Sequence, residues 1–419
     1  MSKCYLGDEK IMNAKELREG PLCGKKIVLL AEYYSSGGTR TYLKQLIDFY
    51  AETGADLVLI GLMSSPDRQV TGWLEPYGFE YTCYWRVLGK DVTSTSDLRP
   101  GIWSPYFISR ERSRFRRFLQ NEGADCIVVS AGTPGQFAGA AGAMARGIYI
   151  LHTYPHGRRQ QYFGRWIMHS AFKRVGQLVA VSDFQKRKMA RLWRLGKRAS
   201  SVVVIRNTVG DPIVRNAQSD RAPLMVMTAS WVEAYKEPLE WIEVAREVGR
   251  EIGSEQVRFV WFGEGKMLTP CRQAVEDVPK GVQVEFAGHQ DELGEAYARA
   301  DVYLQMSSIE NMSLSVIEAL RYGIPAVCTD VGGIPEIQVD GETGFLVPVH
   351  DPGAAARAVV SLLVDGQTRD SMGSAASKRY EMAFSQAKWI AEMLRLHADM
   401  LVSHRSHQNG LDGRFNPMN

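Results

Sequence analysis

Cysteine is scarce and unpaired in this chain. Its six cysteines, Cys4, Cys23, Cys83, Cys126, Cys271 and Cys328, are scattered, and no two form a C-x-x-C pair. That excludes a disulfide frame and a zinc ribbon, and fits reduced thiols in a cytosolic protein. Long hydrophobic runs are also missing. No stretch of about 20 apolar residues occurs, so no membrane-spanning helix is expected. The Ala/Gly-rich segment 131–145 is short and weakly hydrophobic, and reads as a buried helix with Pro134 near its start. Residues 1–24 are mostly polar, so no secretory signal is expected. There is no internal repeat, low-complexity segment or nucleic-acid-binding motif. What remains is 45% hydrophobic and 23% charged, the balance of a soluble globular protein. At 419 residues it is too long for one ordinary core, which predicts two domains.

Net charge is only +3, but it is divided unevenly. Residues 1–207 hold 31 basic and 17 acidic side chains, a net +14, and the remainder is net −11. Basic clusters carry the excess: Arg110 to Arg117, Arg158-Arg159, and Lys186 to Arg198. Interleaved aromatics, Phe115, Phe118, Trp166 and Trp193, suit a lipid headgroup layer, so a membrane surface is one expected partner of the first half. The competing reading is solvated helix faces.

Short apolar runs alternate with helical stretches. Residues 26–31, 57–62, 126–130, 149–151, 178–181 and 202–205 read as buried strands. After a polar link, 207–223, a second series follows at 224–228, 257–262, 282–287, 302–305 and 326–329. This pattern predicts α/β architecture with two doubly wound parallel sheets. The expected domains are 1–208 and 209–383, with a helix over 384–403 and a polar tail, 404–419. That helix carries Trp389, Met393, Leu396 and Met400 along one face.

The densest information lies in residues 307–348, SSIENMSLSVIEALRYGIPAVCTDVGGIPEIQVDGETGFLVP. Ser315 to Glu318 fits a capping box, with Ser315 as N-cap, which predicts a helix over 316–322. Gly323 suits its end and Pro325 prevents continuation. The first N–H groups of such a helix lack intrahelical partners and attract an anion. Glu310 lies five residues upstream, in a loop facing that helix mouth. Taken singly, Glu318 could be only a cap and Glu310 only a solvated loop residue.

As a whole the run resembles the donor-sugar signature of the retaining glycosyltransferases of family 4. The shared pattern is a glutamate, seven residues and a second glutamate, then Glu318-Ala319-Leu320, Gly323-Ile324-Pro325, Gly332-Gly333-Ile334-Pro335-Glu336 and Asp340 to Leu346. The resemblance implies the GT-B fold: two Rossmann-like domains facing across a cleft, with the last helix crossing back to the first. It implies that Glu310 accepts hydrogen bonds from donor-sugar hydroxyls and Glu318 from the nucleotide ribose. Asn311, Met312, Ser313, Leu314 and Ser315 would line the diphosphate.

Other segments extend the resemblance. A glycine-rich loop, Ser35 to Thr39, follows the first strand, and Gly37, Gly38 and Thr39 would edge the diphosphate and acceptor sites. His152 follows a strand directly, where the family has a histidine near the reacting sugar; His156 competes for that role. The family's opening to the second domain carries an arginine and a lysine that hold the diphosphate. Here Lys236 matches the lysine, but Ser230 occupies the arginine's place, and lysine does not reproduce a guanidinium fork. Gly263, Gly265 and Gly288 fall where the nucleobase pocket would be. No D-x-D triplet occurs, so no metal and no other cofactor is expected.

The sequence therefore predicts a cytoplasmic enzyme, peripheral at the inner face of the membrane. It would move a sugar from a nucleotide-diphosphate sugar to a hydroxyl of a glycan or lipid-linked acceptor, with Glu310, His152 and Lys236 as catalytic residues. The alternatives are a GT-B scaffold that binds a glycan or partner without catalysis, and a nucleotide-sugar hydrolase or epimerase.

Overall fold

The computed structural model describes residues 14–31, 37–61, 74, 77, 82–88, 105–131, 140, 143, 146–153, 176–213, 223–252, 257–278 and 282–402. They form two compact units, residues 1–205 with 387–419, and residues 206–386. The second unit runs three residues beyond the expected bounds at each end. Thr208 explains one shift, because its hydroxyl lies 3.3 Å from the Tyr380 hydroxyl of the second unit.

The first unit is built on a seven-stranded parallel sheet of order β3-β2-β1-β4-β5-β6-β7. The strands are β1 (Lys26–Ala31), β2 (Asp56–Gly61), β3 (Thr82–Cys83), β4 (Cys126–Ala131), β5 (Gly147–Leu151), β6 (Gln177–Ala180) and β7 (Val202–Val204). Every residue of β4 and β5 is buried, as expected for strands covered on both faces. Helix Gly38–Glu52 turns Tyr42, Leu43, Leu46, Ile47, Phe49 and Tyr50 inward, a helical spacing. Helix Gln386–Val402 packs on it, with the Trp389 ring 5.4 Å from Phe49 and 6.1 Å from Tyr42.

Part of the basic patch is interior. Phe115 and Trp193 are fully buried in the core and Phe118 packs against it, so these aromatics do not serve a headgroup layer. Trp166 lies outside the described residues. Arg112 is buried, Arg114 donates to the Leu88 carbonyl at 2.7 Å, and Arg116 to the Ala143 carbonyl at 3.1 Å. The reason is amphipathic spacing: the apolar stripe of helix Pro105–Asn121 faces the core and takes Arg112 and, in part, Arg114 with it. Arg110, Arg116, Arg117, Arg187, Arg191, Arg194, Lys197 and Arg198 stay exposed. The helix expected over 131–145 falls mostly outside the described residues.

The second unit has a six-stranded parallel sheet of order β10-β9-β8-β11-β12-β13. Its strands are β8 (Leu224–Ala229), β9 (Val257–Phe262), β10 (Val282–Gly288), β11 (Val302–Gln305), β12 (Ala326–Thr329) and β13 (Gly344–Val347). Sequence patterning anticipates every strand except β3 and β13. Strand β3 has only two residues, too brief to register as an apolar run, and β13 is bracketed by Gly341, Gly344 and Pro348, which read as a turn. Each sheet reverses its strand order once, between β1 and β4 and between β8 and β11. In such sheets ligands bind outside the strand ends at the reversal.

Candidate functional site

At the reversal in the second sheet, Lys236 and Glu310 meet. Lys236 ends a single helical turn, Ala234–Lys236, beyond β8, and Glu310 sits in the loop after β11. Lys236 Nζ donates to Glu310 Oε1, which also accepts from Gln305 Nε2 at 2.7 Å and Ser307 Oγ at 3.2 Å. The lysine lies 5.3 Å from the Tyr235 ring centre. Glu310 is only 9% exposed, so a full charge is held there by an opposite charge and two hydrogen bonds. The chain neighbours of the pair, Tyr235 and Ile309, stand exposed.

The adjoining helix begins earlier than the sequence suggests. It spans Leu314–Arg321 with Ser313 as N-cap, so Ser315 is its second residue and the capping box does not form. Ser315 Oγ instead donates to Gln305 Oε1 at 3.3 Å, alongside Ser313 Oγ at 3.1 Å. The glutamine wins because it is buried at a strand end and its carbonyl oxygen requires donors. Met312 and Ser313 are buried, and the segment 311–315 wraps the mouth of the helix beside Glu310. One turn in, Glu318 Oε1 accepts from Arg321 Nη1 at 2.8 Å. Burial pushes the Glu318 carboxyl above the usual range, and Arg321 opposes that shift. Arg321 also donates from Nε to the Asp211 carbonyl at 2.6 Å. Sequence reading missed Gln305 and Arg321; their offsets from the two glutamates, five and three positions, were the available signal.

The glycines of the motifs bring backbones together. A Cβ on Gly332 would run into the Glu310 carbonyl oxygen, and its φ of +63° suits only glycine well. The Gly-Gly turn therefore supports the loop that carries Glu310. Gly263 and Gly265 lie equally close to the backbones of Ser230 and Val232, and Gly263 N–H donates to the Gly288 carbonyl at 2.8 Å. All three glycines shape the strand ends beside Ser230. The Ser230 hydroxyl makes one bond, to the Trp231 carbonyl at 3.4 Å, and supplies no cation.

The first unit assembles a separate cluster at its own reversal. Helix Gly38–Glu52 starts from Gly37, with Thr39 in its first turn and no side-chain cap. His152 follows β5; its Nε2 is hydrogen-bonded to Ser130 Oγ at 2.8 Å, and Tyr42 meets its ring edge-on at 4.5 Å. Burial lowers its pKa to about 4, so the ring is neutral at pH 7. His156 lies outside the described residues.

Among the described residues, one group could supply metal ligands: Glu237, Glu240 and His350, with ligand atoms within 4.8 Å of one another. Glu240 Oε1 already bonds His350 Nδ1 at 2.6 Å in an exposed pair. Among the described residues, no helix is long and apolar enough to cross a membrane.

Comparison with known proteins decides the family. The profile described as "Glycosyltransferase Family 4" matches residues 36–210, and that described as "Glycosyl transferases group 1" matches residues 214–379. The chain belongs to glycosyltransferase family 4. It is similar to the N-acetyl-alpha-D-glucosaminyl L-malate synthase of Bacillus anthracis, 29% identical over 40% of this chain and 43% of that one. The chain thus spans less than half of that relative's length. Among solved structures, a glycosyltransferase of Rickettsia africae superposes with a TM-score of 0.69 at 16% identity, covering 90% of this chain and 99% of its own. The Anabaena protein HepE, solved with UDP-glucose, gives 0.67 at 17% identity over 90% and 99%. The fold shared with these structures is GT-B, two Rossmann-like units.

Proposed function

We propose that this protein is a retaining glycosyltransferase that moves a sugar from a nucleotide-diphosphate sugar to a hydroxyl acceptor without a metal ion. One observation carries the reading. A cation suited to phosphate and a carboxylate suited to sugar hydroxyls lie together at the strand reversal, beside a helix mouth. When the donor enters, Lys236 turns to the diphosphate and Glu310 accepts from the sugar. Segment 311–315 offers N–H groups to the phosphate, and Glu318 accepts from the ribose. The bond from the anomeric carbon to phosphate oxygen breaks and the bond to the acceptor oxygen forms on the same face. The acceptor proton passes to a phosphate oxygen. Leaving-group charge is met by Lys236 and backbone dipoles, in place of a metal.

Gly37, Gly38, Thr39 and neutral His152, at the reversal of the first sheet, are assigned to the acceptor and to the sugar. The exposed cations of the first unit suit an anionic or lipid-linked polysaccharide precursor presented at the inner face of a cytoplasmic membrane. HepE, which was solved with UDP-glucose, supports a nucleotide-sugar donor. Ser230 favours the competing reading of a binding scaffold, since one phosphate cation is missing.

The decisive experiment is transfer by Glu310→Gln, folded as judged by its melting curve. Activity lower by about a thousandfold is expected, in the range of losing one electrostatic contact to the reacting centre. Normal turnover would remove Glu310 from the reaction. Sugar release without acceptor, at the rate seen with it, would make the enzyme a hydrolase.

A further inference from the structure

The two oxygens of Glu310 are treated differently. Oε1 takes the donors from Lys236, Gln305 and Ser307, whereas among the described residues no donor reaches Oε2. Oε2 is also not among the sealed polar atoms, so it is the oxygen left for an incoming group. Behind Oε1 lies Gln305, 2% exposed at the end of β11. A carboxylate only accepts, so the glutamine must turn its NH2 group to Glu310 and its carbonyl oxygen the other way. That oxygen meets Ser313 Oγ at 3.1 Å, Ser315 Oγ at 3.3 Å and the Tyr303 hydroxyl at 3.4 Å, all able to donate. The Ser313 and Ser315 hydroxyls thereby hold the amide in one orientation, while the Tyr303 proton can also go to the Ala229 carbonyl at 3.4 Å.

We infer that Gln305, locked by Ser313 and Ser315, is a positioning residue that pins Oε1 of Glu310 and so presents Oε2 to a hydroxyl of the donor sugar. The inference rests on the donor site proposed above. Its physical sense lies in what happens to Lys236. Once the lysine turns to the diphosphate, Oε1 loses its cationic partner, and a freely rotating carboxylate would lose its aim. A neutral amide does not compete for phosphate, so Gln305 and Ser307 keep the carboxylate in place through that exchange. The serines of 313 and 315 thus contribute side chains that hold a glutamine, two steps removed from the sugar.

The test separates sugar recognition from nucleotide recognition. The probe is the member of a panel of UDP-, GDP- and ADP-sugars that most raises the wild-type melting temperature, used beside its parent nucleoside diphosphate. Gln305→Met keeps the length and cannot donate. Its Kd for the nucleotide sugar should rise about tenfold, the scale of one lost hydrogen bond to a charged group, with the Kd for the parent diphosphate unchanged. Ser313→Ala, which leaves Gln305 in place, should shift in the same direction by less, and serves if Gln305→Met does not fold. Equal weakening of both ligands, or of neither, overturns the positioning role. Glu310→Gln is measured in parallel. If it also leaves sugar affinity unchanged, or if no nucleotide sugar raises the melting temperature, the donor site itself falls. If it weakens sugar binding and Gln305→Met does not, only the present inference falls.

Discussion

At Gly332 a single hydrogen atom decides whether the Glu310 loop closes. Adding a methyl group there places carbon against the Glu310 carbonyl oxygen and demands a φ of +63° from a residue that resists it. Gly332→Ala should therefore destabilise the second unit by on the order of 3 kcal/mol, read from the denaturant midpoint, and reduce donor binding with it. A second residue, His397, reports on pH. It is fully buried; its Nδ1 donates to the Met393 carbonyl at 2.7 Å, so its Nε2 accepts from the Tyr50 hydroxyl at 3.1 Å. Burial lowers its pKa to about 4, below the ordinary 6.5. In that window the unfolded chain binds the proton and the folded chain does not, so stability falls as pH drops from 6.5 towards 4. The contribution is about 3 kcal/mol, and His397→Phe should flatten the stability difference between pH 7 and pH 4.5 by that order. A variant with the same pH slope as wild type would contradict the burial argument. The resemblance of run 307–348 to the family signature singled out Glu310 and Glu318; taken singly, each reads equally well as a cap or a loop residue. Local patterning misjudged Ser315, because a serine near a helix start serves equally as cap or as side-chain donor, and only the buried Gln305 settles which.

For whole elements the same contrast holds. Strands buried on both faces are continuous apolar runs, so β1, β9, β11 and β12 have the bounds their sequences suggest. Edge strand β3 is too short for such a run, and β13 stands among turn residues; each pairs with its neighbouring strand through N–H and C=O groups. Caps divide similarly. Ser182 Oγ accepts from the Gln185 N–H at 3.0 Å and starts helix Asp183–Leu192. Ser182→Ala should lower stability by about 1 kcal/mol in chemical denaturation. The terminal helix depends on packing. Trp389 keeps 3% of its surface and packs against Phe49 and Tyr42. Trp389→Ala should cost roughly 3–5 kcal/mol and lower the melting temperature of the first unit. An apolar stripe with period 3.6 made this helix visible in the sequence; that its partner is helix Gly38–Glu52 was not visible there.

On the scale of the whole molecule, charge is the property that reaches outward. The first 207 residues are net +14 and the rest net −11. With Phe115 and Trp193 in the core, those two rings cannot anchor a membrane, and among the described residues of the basic clusters the exposed cations are the groups that can attract one. Vesicles rich in phosphatidylserine should therefore retain the protein at about 50 mM salt and release it at about 500 mM, as expected for a screened interaction. Retention at high salt would point to apolar insertion instead. Amino-acid order alone sufficed for the two-unit plan and most buried strands, since periodicity is a property of neighbouring residues. The meeting of Lys236 with Glu310, seventy-four positions apart, was decided in three dimensions. So were the fixed amide of Gln305 and the burial of half the basic patch's aromatics. The ion pair depends on β8 and β11 lying side by side at the reversal of the sheet, and no local pattern encodes that adjacency.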